Sequence, residues 1–77
     1  MKVYAVSRSG NSRFALDTGN LLGVYREVPS AGIYARMCAH DHTKATDEPT
    51  WVYEVEVEAV ATFKIKKEVV RIDIADS

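Results

Sequence analysis

The sequence predicts an α+β fold: a small antiparallel β-sheet of about five strands, in the sequence order βββαββ, with one helix packed on one face. Three observations carry this. Residues 51–65 are apolar at every odd position and mostly polar at the even ones, the first 26 residues hold β-rich runs separated by glycine and asparagine turns, and a Pro-Ser pair precedes the one helical spacing. A chain of 77 residues buries only about 60–65% of the surface its unfolded form exposes. That leaves room for one core, so residues 1–77 are expected to form a single domain with no linker.

The elements follow in chain order. Lys2 to Arg8 holds Val3, Tyr4 and Val6, and Ser9-Gly10-Asn11-Ser12 is a concentrated turn signal. Arg13–Asp17 reads as a returning strand with Phe14 and Leu16 on one face; Thr18-Gly19-Asn20 then turns the chain into a third strand over 21–26. Pro29-Ser30 suits a helix start, which places a helix over roughly 30–40. Ile33 and Met37, with Tyr34 and Cys38 beside them, form the stripe expected to lie on the sheet. The polar stretch 41–50 is expected to be the longest loop, and a mobile one.

From Trp51 the odd positions Trp51, Tyr53, Val55, Val57, Ala59, Ala61, Phe63 and Ile65 form one apolar face, and the even ones include Glu54, Glu56, Glu58, Lys64 and Lys66. Fifteen residues exceed a usual strand of about 5–6. A hairpin folding back about Ala61 is preferred over a kinked long strand, because it sets Glu58 opposite Lys64 and Glu56 opposite Lys66. After Lys66-Lys67-Glu68 the phase shifts to Val70, Ile72 and Ile74, which predicts a turn or bulge and then a final strand.

Composition excludes several classes of function. With 47% hydrophobic and 27% charged residues, the chain is not intrinsically disordered. Its lone Cys38 forms no internal disulfide, which points to a reducing, cytoplasmic setting. No secretory signal opens the chain, and no apolar run reaches the roughly 20 residues that span a bilayer. The net charge of −1 conceals +3 over residues 1–45 and −4 over residues 46–77.

Motifs for chemistry are sparse. The glycines form neither a dinucleotide fingerprint nor a phosphate loop, so no cofactor is expected. Cys38, His40 and His42 are metal-ligand types in one run, but zinc sites draw ligand pairs from separated segments, and no metal is expected there. The same cluster lacks a distant base and an orienting group for a thiol nucleophile, so no catalytic residue is assigned. Arg8, Arg13, Arg26 and Arg36 would serve a nucleic-acid-binding regulator, the alternative reading, although scattered arginines in a net acidic chain do not make the basic stripe such binding needs.

The leading expectation is therefore a non-enzymatic accessory protein that works by protein–protein contact. It would be an inhibitor or adaptor of the kind phages and mobile elements encode, an analogy of size. Glu54, Glu56 and Glu58, continued by Asp47 and Glu48, form the row expected to dock on a basic protein surface, with Trp51 as the aromatic candidate. The plainer readings are a solvated acidic face and a core tryptophan. A marginal core and open sheet edges also make homodimerisation compatible with this reading.

Overall fold

The computed structural model describes residues 1–26, 31–58 and 62–74. Four strands and one helix follow one another as β1 (Lys2–Ser7), β2 (Leu21–Arg26), α1 (Ala31–Thr46), β3 (Thr50–Glu58) and β4 (Thr62–Ile72). The strands form one antiparallel sheet in the order β2-β1-β3-β4. The α+β class with one helix is as the sequence predicts; the number and order of strands are not.

The middle strand expected at 13–17 is a series of turns. Local side-chain hydrogen bonds compete with the ladder there. The Asn11 side chain accepts the Arg13 amide at 3.0 Å, and Ser9 Oγ accepts the Asn11 amide at 3.2 Å. From inside, buried Ser7 Oγ donates to the Ala15 carbonyl at 2.7 Å and accepts the Ser9 amide at 3.1 Å. The Tyr53 hydroxyl donates to the Ser9 carbonyl at 2.7 Å. Residues 8–20 thus form a strap across one face of the sheet, covering Val3, Ala5, Tyr53 and Val55 with Ala15 and Leu16. At Gly10 the strap touches the Trp51 ring, and a Cβ there would lie 2.6 Å from it.

Helix α1 covers the other face, and it departs from the sequence reading in two ways. It runs to Thr46 rather than ending near His40, so the expected loop over 41–50 shrinks to Asp47–Pro49. The reason is Thr43, which continues the inward row: its Oγ1 lies 2.9 Å from Thr50 Oγ1 and donates to the Ile72 carbonyl at 3.1 Å. The helix stops at Asp47, whose φ of 64° is left-handed and whose amide bonds the Thr43 carbonyl at 2.9 Å.

The second departure is rotational. Ala31, Ala35, Ala39 and Thr43 are the buried residues of α1, while Ile33, Tyr34 and Met37 are 58%, 55% and 56% exposed. Small side chains at i, i+4 spacing let the helix lie close on Val6, Val52 and Ile72, with Gly32 against the Tyr4 ring. Each fully buried valine here contributes roughly 1.5–3 kcal/mol.

The 51–65 run is a hairpin, in a register one residue from the expected centre. Glu56 pairs with Lys64 and Glu54 with Lys67, instead of Glu58 with Lys64 and Glu56 with Lys66. The expected turn at Ala61 lies outside the described residues. Among the described residues no separate final strand follows. The phase shift is absorbed by bulges in β4, where Lys66 and Val69 are the extra residues opposite β3. As a central strand β3 is covered on both faces, so even-numbered Thr50 and Val52 are as buried as Tyr53 and Val55.

Candidate partner interface

Two hollows gather exposed apolar side chains, while Met1, Phe14, Tyr34, Val69 and Ile74 are exposed outside them. Between α1 and β4 runs an open groove of ≈ 590 Å³ with Ile33, Met37, Val70 and Ile72 as its apolar surface. Arg36, His40, Asp41 and Arg71 supply its polar rim. On the strap face a smaller hollow of ≈ 110 Å³ is bordered by Leu16, Leu21, Val24 and Phe63. Val24 and Phe63 are 47% and 51% exposed. Such residues, gathered rather than scattered, mark contact surfaces in proteins of this size.

The acidic residues singled out by sequence are dispersed and largely paired. Glu54 is half-buried between Lys2 Nζ at 3.3 Å and Lys67 Nζ at 3.6 Å. Glu56 meets the Met1 amine at 3.1 Å, and Glu48 meets Arg8 at 3.3 Å. Asp47 closes the helix through its backbone, and among the described residues no ion pair reaches Asp47 or Glu58. Trp51 is partly buried beside the strap, with the Arg71 guanidinium 5.5 Å from its ring centroid.

The arginines of the alternative reading do not share a surface. Arg8 follows the end of β1 and is held by Glu48, whereas Arg26 pairs with Val3 at the opposite end of the sheet. Arg13 lies 5.7 Å from the Phe14 ring centroid on the strap, and Arg36 rims the groove on α1. Cys38, His40 and His42 also diverge. Cys38 faces Tyr25, His40 rims the groove, and His42 Nε2 lies 3.4 Å from Thr46 Oγ1. Among the described residues no group of three or more His, Cys, Asp or Glu side chains converges.

Two tyrosines have shifted acidity. The hydrogen bond with Cys38, followed by burial and the charge of the thiolate, raises the Tyr25 ionisation above its usual value. Burial and then the Glu68 carboxylate raise that of Tyr53. Both shifts favour the neutral phenols that hold the layers together.

No protein-family model, curated protein or solved structure matches the chain. No helix among the described residues is long and apolar enough to cross a membrane.

The outward Ile33 and Met37 are what sequence reasoning missed. Their i, i+4 spacing suggested an inward stripe, yet Ala31, Ala35 and Ala39 offered a second one at the same spacing. A close helix-to-sheet contact selects the smaller set.

Proposed function

We propose that this chain is a small non-enzymatic accessory protein, an inhibitor or adaptor, acting in a reducing cytoplasm by protein–protein contact. The observation that supports it is the outer face of α1. The helix uses alanines to bind its own sheet and leaves Ile33 and Met37 in solvent beside Val70 and Ile72 of the groove. Exposing large apolar residues has no benefit for folding, and a partner that covers them gains roughly 25 cal/mol per Å² of apolar surface. Charged groups at the rim then orient that partner. A basic partner surface would meet Glu58 and Asp47, because Glu48, Glu54 and Glu56 are engaged within the chain. Capture from the native host's lysate tests this: wild-type protein retains a stoichiometric partner, and Met37→Glu loses it without loss of helix content. Recovery of no stoichiometric protein, or equal recovery by Met37→Glu, would contradict the reading.

A further inference from the structure

The outer strands differ in how they meet solvent. β4 carries Lys64, Lys66, Lys67 and Arg71 against the single anion Glu68, and bulges at Lys66 and Val69 interrupt its ladder with β3. Charges and bulges are the devices that stop an edge from pairing with another chain. β2 has one charged residue, Arg26, at its end, and one bulge at Leu22, so Gly23–Arg26 is regular. It contains neither lysine nor proline. Apart from the ladder with β1, the one backbone bond it makes among the described residues is from the Leu21 amide to Asp17.

We propose that β2 is a self-association edge, on which a second copy of this chain pairs antiparallel to form a continuous sheet from the four strands of each copy. A two-fold axis perpendicular to the sheet keeps every side chain on its own face, so residues opposed across the seam must share a face. Centred on Val24, this pairs Val24 with its own mate and Gly23 with Tyr25 of the second copy. The charges fit a second copy. The two Arg26 residues fall at opposite ends of the seam, roughly 13 Å apart at strand spacing and beyond a Debye length of about 8 Å. Self-pairing through β4 would instead oppose four cations and one anion to the same set. Apolar cover is self-complementary at the centre as well: Val24, 47% exposed, is brought against the same residue of the mate. The groove between α1 and β4 lies on the far side of the sheet order and stays open in both copies.

Cross-linking tests the edge and its register. Residues opposed across an antiparallel pair have Cα atoms about 4.5–5.5 Å apart, within the range of about 4.4–6.8 Å that a disulfide needs. In a Cys38→Ser background, Val24→Cys should oxidise to a disulfide-linked species of twice the 8.6 kDa chain mass. Val69→Cys on the other edge should give at least tenfold less. In sedimentation, Val24→Lys should be monomeric with unchanged helix content, while Met37→Glu keeps the dimer, which separates this proposal from the partner groove. A wild-type chain monomeric at every concentration, equal cross-linking through Val69→Cys, or a dimer that survives Val24→Lys would overturn it.

Discussion

β4 and β2 close the same sheet at opposite sides, and the chain treats them differently. β4 has two bulged residues and a run of lysines, and its last residues are tied to the helix by the Thr43 bond to the Ile72 carbonyl. β2 has a single charge, and its first residue is tied to the strap by the Leu21 bond to Asp17. The difference teaches that edge protection is a property of individual strands. A net charge of −1 says nothing about it, because the cations are concentrated where self-pairing must be prevented.

The largest effect should come from removing that protection. Replacing Lys64 and Lys66 by threonine leaves two adhesive edges per molecule, and head-to-tail pairing then has no closing point. Light scattering should show particles far larger than a dimer. A double variant that scatters like wild type would mean that the bulges, with Lys67 and Arg71, suffice to guard β4.

Anchoring the edges from opposite layers gives a second comparison. Thr43→Val should destabilise the fold by about 1–3 kcal/mol in urea titration, because it leaves the buried Thr50 hydroxyl and Ile72 carbonyl short of a partner. Ser7→Ala should cost about 1–2 kcal/mol by freeing the strap from the Ala15 carbonyl. Only Ser7→Ala, which loosens the strap leading into β2, should weaken self-association. Equal effects on association would show that the two ends are coupled.

A smaller effect appears at high pH. Folding raises the tyrosine ionisation of Tyr25 on β2 and Tyr53 on β3, so the folded state holds its phenolic protons more tightly than the unfolded state. This contribution is fully present below the unfolded value of about 10 and is lost as pH rises through the folded values. Tyr53→Phe should cost about 1 kcal/mol at neutral pH by losing the Ser9 bond, and should flatten part of the alkaline decline. Tyr25→Phe should flatten the remainder. An alkaline decline unchanged in both variants would place its origin elsewhere.

Local pattern made the β3–β4 hairpin legible, since the alternation from Trp51 and the acid–base complementarity both point to it. Its register was not legible, because no glycine, asparagine or proline over 59–61 marks a centre, and bulges at Lys66 and Val69 then shift the pairing again. The helix start after Pro29-Ser30 was readable, whereas its last turns were hidden: a polar sequence conceals that Thr43 bonds Ile72, 29 residues away. The 13–17 run resembles a strand by composition, and the hydrogen bonds of Ser7, Ser9, Asn11 and Tyr53 show why the chain turns there. The acidic row was visible as spacing, but its neutralisation by Lys2 and Lys67 is a product of sheet order. The outward Ile33 and Met37 are not legible in the spacing, because side-chain volume decides which i, i+4 stripe packs inward.

Amide hydrogen exchange, compared between dilute and concentrated protein, tests the contrast between the two edges most directly. Raising the concentration should slow exchange in Gly23–Arg26 and leave β4 unchanged. Slowing in β4 with none in β2, or no change in either strand, would contradict the assignment of β2 as the open edge.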